Sequence, residues 1–268
     1  MDRGLFLDDG PAPGAENMAR DEVIFEKASR GGVPVFRLYS FDPAAITIGY
    51  HQDPDACLDL NAVRADGIDW VRRMTGGRAL LHDGELTYCI AAPASSPVCG
   101  ARLGETYLTI SEALVAALRS IGVNAAVSRR NERGSPDGAV PPCLCSLARY
   151  ELAVGGRKIA GSAQRRTAAG FLQHGSILLH RRSARIAAYV RGSWDSMEDR
   201  ITSVAHELGG RVDAGALRAA LVGSFSVVFK VEWEPVRLSS GEEDDVRRRA
   251  LAKRAESSAK AAREVCSP

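Results

Sequence analysis

The sequence predicts an α+β fold, with mixed, mainly antiparallel sheets and flanking helices. Three observations carry this. Strand-like and helix-like segments are interleaved without the regular βαβα alternation of a doubly wound sheet. Gly155-Gly156 separates two strand-like runs by two residues, a hairpin signature. Thr106 to Ile121 repeats Leu108, Ala113, Leu114, Ala117 and Leu118 at helical spacing and meets Gly122, a residue type that closes helices.

Taken in order, Leu5 to Asp8 reads as a short first strand followed by a Gly-Pro-Ala-Pro-Gly loop. Ala15 to Ala28 has helical spacing, with Met18, Val23 and Phe25 available for burial and Gly31-Gly32 as the stop. Val33 to Tyr39 and Ala45 to Tyr50 read as strands on either side of the Asp42-Pro43 turn, and Leu58 to Asp66 as a short helix ended by Gly67. Trp70 to Arg73 is strand-like, as are Ala79 to His82 and Leu86 to Ala92, the last two joined at Asp83-Gly84. Arg129 to Pro142 is polar and rich in Gly and Pro, the composition of a loop. Tyr150 to Val154, Arg157 to Ala163 and Phe171 to Leu179 form three further strands, and Ser183 to Tyr189 and Val212 to Val222 two helices. Glu242 to Glu264, charged and alanine-rich, reads as a solvated terminal helix. The chain divides into a main domain over 1–235 and a charged helical tail over 236–268.

At 268 residues the chain can bury one full core, or a core and a small appendage. A formal net charge of +2 argues against nucleic acid as the main partner. The N-terminus lacks an apolar run flanked by basic residues, so no signal peptide is expected, and no segment is apolar over the length of a membrane span. Six cysteines at irregular spacing do not make a secreted disulfide framework; reduced thiols in the cytoplasm are the expectation.

Two stretches carry chemistry. Cys143 to Leu179 holds two thiols, Lys158 near the start of a returning hairpin strand, and the Gln173-His174-Gly175 step. Ala160, Gly161, Ser162 and Ala163 beside the lysine leave room for something long and thin. In Arg72 to Asp83, Gly76-Gly77 lets backbone N–H groups approach an anion or a carbonyl, with Arg72, Arg73 and Arg78 nearby. No Gly-Lys-Ser/Thr follows, so this is not a Walker loop, and it is not a dinucleotide fingerprint. No Gly-x-Ser-x-Gly elbow supports a serine hydrolase. Cys143 and Cys145 lack a second pair or a nearby histidine to complete a zinc set, so no metal site is expected.

Together, Arg72-Arg73-x-Thr-Gly-Gly-Arg-Ala-x-x-His82, Gly155-x-Arg157-Lys158-Ile-Ala-Gly161-Ser162-Ala163-Gln164 and Gln173-His174-Gly175 resemble the lipoate–protein ligase and octanoyltransferase family. The resemblance runs from about Leu5 to Leu221 and takes in Asn17-Met18-Ala19 with Asp21-Glu22 and Gly49-Tyr50-His51-Gln52. It implies the catalytic-domain fold of biotin and lipoate protein ligases. It also implies that Lys158 contacts the carbonyl end of a bound acyl group, and that Arg73 and His82 line an acyl pocket with Gly76 and Gly77. The other motif positions, Gly161, Ser162, His174 and Gly175, fall among the substrate-binding residues.

The family divides between ligases, which activate free lipoate with ATP and magnesium through an acyl-adenylate, and transferases, which take an octanoyl group from acyl carrier protein through a cysteine thioester. Three departures favour a transferase needing no cofactor. Arg78 stands where the ligase loop has a third glycine, only about fifty residues follow Leu221, and Cys143 lies seven residues before Tyr150-Glu151-Leu152. That last spacing resembles the ligase-like cysteine transferases and makes Cys143 the expected nucleophile, with Cys145 as its rival. A lysine ammonium near a thiol favours the nucleophilic thiolate. Acceptors would be lipoyl-domain proteins such as glycine cleavage H protein or a dehydrogenase E2. Arg129, Arg130 and Arg133 are candidates for a basic face toward such acidic partners. A noncatalytic acyl binder is a third reading, against which Lys158 and Cys143 both speak.

Overall fold

Every residue of Glu85–Pro93 and of Gly170–Leu178 is buried, as expected of strands covered on both faces. The computed structural model, which describes residues 1–100, 102–129, 149–192 and 197–265, pairs these strands at the centre of an eight-stranded sheet. The first half of the chain forms β1 (Asp2–Ala12), α1 (Gly14–Gly31), β2 (Val35–Phe41), β3 (Ala45–Ile48), α2 (Pro54–Cys57), α3 (Leu60–Ala65), β4 (Asp69–Arg72), β5 (Leu80–His82), β6 (Glu85–Pro93) and α4 (Leu103–Ser120). The second half forms β7 (Ala126–Val127), β8 (Leu152–Val154), β9 (Arg157–Thr167), β10 (Gly170–Leu178), a 3₁₀ segment (Arg181–Ala188), α5 (Met197–Arg200), α6 (Val204–Glu207), α7 (Ala214–Phe229), β11 (Val231–Pro235) and α8 (Ser240–Val265).

The large sheet runs β11-β1-β2-β6-β10-β9-β8-β7, and a three-stranded sheet runs β4-β3-β5. β1 is parallel to β11 and β2, and β3 to β4; the remaining pairings are antiparallel. The chain is therefore α+β with mainly antiparallel pairing, as its composition of elements predicts.

Strand alternation splits the core. Leu86, Tyr88, Ile90 and Ala92 of β6 face α4 and α7, meeting Ile110, Leu114 and Leu118 from one helix and Leu217, Leu221 and Phe225 from the other. Cys89 and Ala91 face the opposite way, toward Met18, Ala19, Val23 and Ile24 of α1. Burying each large apolar side chain stabilises by about 1.5–3 kcal/mol. A third core fills the space between the small sheet and the 3₁₀ segment, around Ile46, Leu81, Ile186 and Tyr189.

Three expectations are corrected. β1 continues through Gly10-Pro11-Ala12, expected as loop, because Pro11 and Ala12 pair with Ser40 and Phe41 of β2 and a register shift between Asp8 and Pro11 absorbs the residue that lacks an N–H. The Asp83-Gly84 turn is present as expected, with Gly84 at φ 75°, and it carries the chain from the small sheet to the large one. Ser183 to Tyr189, expected as an α-helix, lies instead in a 3₁₀ run that ends at Ala188, with Tyr189 capping it. The charged terminal helix is docked: Val246 and Ala250 join the α1 core, and Arg20–Glu243, Lys27–Glu242 and Lys253–Glu22 pair the two helices. Its apolar positions four residues apart fall on one face, which the charges alone obscure. Among the described residues no helix is long and apolar enough to cross a membrane.

Candidate active site

The α1-facing side of the large sheet is apolar except for one patch. Arg37 and Tyr39 on β2, Thr87 on β6, and His174 and Ser176 on β10 are all buried there. Buried polar groups need partners, and α1 supplies Asn17 and Asp21. One Asp21 carboxylate oxygen accepts from Arg37 Nη1 at 2.8 Å; the other accepts from the Tyr39 hydroxyl at 2.9 Å and pairs with His174 Nδ1 at 2.7 Å. Arg37 also donates to Asp9 at 2.6 Å and to Asn17 Oδ1 at 2.7 Å.

Burial by itself raises the Asp21 pKa, but the His174 hydrogen bond and the Arg37 charge outweigh it and hold the carboxyl below its usual range. Burial pushes His174 down, and Asp21 only partly opposes that, so the imidazole is neutral near pH 7. A carboxylate only accepts, so Nδ1 of His174 carries the hydrogen and Nε2 presents a lone pair. That lone pair receives the Thr75 hydroxyl at 2.7 Å.

A second carboxylate–histidine–threonine run lies alongside. Glu85 Oε1 pairs with His82 Nδ1 at 2.7 Å, and His82 Nε2 with Thr47 Oγ1 at 2.8 Å. Thr47 Oγ1 accepts from Arg73 Nη1 at 3.1 Å, and Arg73 in turn donates to the carbonyls of Gly76 and Arg78, each at 2.9 Å from Nη2. Phe41 stacks on the His82 ring at 3.9 Å between centroids. Both runs end on the loop between β4 and β5, which contains Gly76 and Gly77.

Between these runs lies a small cleft, whose empty space together with the solvent at its mouth comes to about 410 Å³. Seven of the residues singled out in the sequence border it: Arg73, Gly77, His82, Gly161, Ser162, His174 and Gly175. Met18, Tyr39, Thr87 and Ser176 lie deep within it, whereas Gly77 is exposed at the rim. Gly76 is one step outside this lining; a Cβ there would meet nothing within 4 Å. Of the small residues beside Lys158, Gly161, Ser162 and Ala163 border the cleft, but Ala160 is turned into the α4–α7 core. Gly175 is required for close approach: a Cβ would stand 2.4 Å from Ser162 Oγ and 2.6 Å from the Gly161 carbonyl.

Lys158 does not line the cleft. It is buried on β9 three residues before Gly161, with Nζ 2.6 Å from Glu151 Oε1. Cys143 and Cys145 lie outside the described residues, as do Arg130 and Arg133; Arg129 is exposed. Asp21, Tyr39, Thr47, Thr75, Glu85 and Glu151 received no role from the sequence. A signal was available for two groups: Asp21 interrupts the apolar face of α1, and Arg37 stands inside the apolar run Val35-Phe36-Arg37-Leu38-Tyr39. Among the described residues no cluster of three or more histidine, cysteine or acidic side chains is placed to hold a metal.

The family model of the lipoyl protein ligase A/B catalytic domain matches residues 13–226. The octanoyltransferase LipM of Symbiobacterium thermophilum is 39% identical over 252 residues, covering 90% of this chain and 91% of the relative. The octanoyltransferase LipM of Kyrpidia tusciae is 38% identical, covering 91% and 93%. Among solved structures, a lipoate-protein ligase A bound with ATP superposes with a TM-score of 0.79 at 26% identity, over 94% of this chain and 96% of that one. The bipartite lipoate protein ligase of Thermoplasma acidophilum, described with its E2 lipoyl domain, superposes with a TM-score of 0.78 at 23% identity, over 95% and 94%, a likeness of fold.

Proposed function

This chain belongs to the lipoyl protein ligase A/B catalytic domain family, and we propose that within it the protein is an octanoyltransferase. It moves an octanoyl group from acyl carrier protein, through a thioester on Cys143, to the lipoyl-accepting lysine of a carrier such as glycine cleavage H protein or a dehydrogenase E2 domain. The observation that carries this reading is the convergence of Arg73, Gly77, His82, Gly161, Ser162, His174 and Gly175 on one cleft, bordered by buried Met18 and Tyr39 and by exposed Gly77 of the glycine loop. Gly161, Ser162, Ala163 and Gly175 along its wall are small residues, which leave room for an acyl chain. The names of relatives that match nine-tenths of the chain support octanoyl as the group.

The chemistry follows from the residues. The Cys143 thiolate attacks the donor thioester carbonyl, and the carrier's thiolate departs; one thioester replaces another, so no ATP is consumed. The acceptor lysine amine then attacks the acyl-cysteine. An amide bond forms, the carbon–sulfur bond breaks, and the amine's proton neutralises the released thiolate. In this reading the Lys158 ammonium, three residues along β9 from the cleft wall and paired with Glu151, favours the thiolate and the oxyanion of both steps. Glu151 holds its Nζ at 2.6 Å, which fixes the direction of the ammonium.

Intact-protein mass spectrometry after mixing with octanoyl-acyl carrier protein, without ATP, tests the reading. Wild type and Cys145→Ala are expected to gain one octanoyl group and Cys143→Ala none. If wild type gains nothing, and an acceptor is acylated only when ATP and free lipoate are added, the ligase chemistry replaces this one.

A further inference from the structure

The loop from Met74 to Arg78 forms the rim of the cleft, and its backbone is tied down at successive carbonyls. Met74 O accepts from Arg165 at 3.1 Å, Thr75 O from the Tyr50 amide at 2.9 Å, and Gly76 O and Arg78 O from Arg73. These contacts hold the loop to neighbouring loops and to the small sheet. The Thr75 hydroxyl reaches across to the opposite wall, where His174 of β10 receives it at 2.7 Å. His174 is fixed in turn by Asp21 of α1, and Asp21 by Arg37 and Tyr39 of β2. The run therefore spans four parts of the fold and ends on the one that covers the acyl cleft.

We propose that Asp21 and His174 are positioning residues, which latch the glycine loop over the cleft through the Thr75 hydroxyl and so set the distance between its two walls. Asp21 accepts from His174 Nδ1–H, and Thr75 donates to the lone pair at Nε2. Thr75 is wholly buried, so water does not replace a lost partner there. With the hydroxyl gone, the loop keeps its carbonyl contacts but loses the tie that aligns Arg73 and Gly77 with His174 and Gly175. The anchoring stands on geometry alone, and its effect on acyl transfer rests on the function proposed above.

Thr75→Val, which keeps the shape and removes the donor, is compared with Thr75→Ser, which keeps the donor and removes a methyl. Two quantities are read: hydrogen–deuterium exchange of the amides from Met74 to Leu80, and KM against kcat for octanoyl-acyl carrier protein. For Thr75→Val, exchange in this peptide is expected to accelerate about tenfold and KM to rise about tenfold, with kcat within about twofold. Thr75→Ser is expected to stay near wild type in both. Wild-type exchange in Thr75→Val overturns the proposal. So does equal impairment of Val and Ser, which would make the threonine a packing residue. If wild type transfers no octanoyl group, the exchange comparison still decides the latch, and only the functional reading falls.

Discussion

A Cβ added to Gly49 would stand 2.1 Å from the carbonyl oxygen of Gly77. The loop after β3 and the glycine loop are in backbone contact there, and the Tyr50 amide donates to Thr75 O one residue further on. The two loops are therefore packed backbone to backbone.

Gly49→Ala is expected to leave the secondary structure intact but to push the glycine loop away from the cleft. A displacement of about 1 Å of substrate-positioning groups lowers catalysis about a hundredfold. Octanoyl transfer measured under kcat/KM conditions, alongside circular dichroism, checks this. A variant retaining a third or more of wild-type activity would show that the contact is slack.

The Lys158–Glu151 pair is buried on both sides. Removing one partner of such a pair leaves a buried charge uncompensated, so Glu151→Leu is expected to lower stability by about 3–5 kcal/mol in urea unfolding. The double variant Lys158→Met with Glu151→Leu removes both charges and is expected to recover most of that loss while transferring no octanoyl group. Transfer activity in the double variant would remove Lys158 from the chemistry.

Stability is expected to fall in acid, with a contribution from His174 that can be isolated. Burial holds its pKa down in the folded protein, against the pull of Asp21 and with Arg73 and His82 adding to the depression. The unfolded chain thus takes up a proton below about pH 6.5 that the folded protein refuses. The stabilisation is complete above that pH and is lost as pH falls toward the folded value, by at most about 1.4 kcal/mol per pH unit. Asp21, held low, adds a further loss below its ordinary carboxylate pKa. Urea unfolding at pH 7.5, 6.5 and 5.5 should give a steeper decline for wild type than for His174→Gln. Parallel declines would mean that His174 titrates in the folded state as it does in the unfolded one.

Much of this was legible because it is local. The Gly155-Gly156 hairpin, the α4 period and the glycine loop are each written within a few residues, and turn chemistry and apolar spacing specify them without reference to the rest of the chain. The motif positions from Arg73 to Gly175 could likewise be picked out one by one. Their partners could not. Asp21 and His174 are 153 residues apart and Thr75 and His174 are 99 apart, and nothing in either neighbourhood announces the other. Composition also misdirects for α8, whose charges read as solvated until the complementary face of α1 is beside it.

The sequence by itself determined the class of fold, the order of most elements and the residue types available to the site, because these follow from local periodicity and backbone preference. Tertiary structure alone decided which carboxylate holds which histidine, which glycine needs its missing Cβ for space, and that Lys158 lies paired outside the cleft. Those outcomes depend on through-space distances of 2 to 3 Å between strands and helices distant in the chain. At that range burial and hydrogen bonding, rather than local propensity, set both protonation and position.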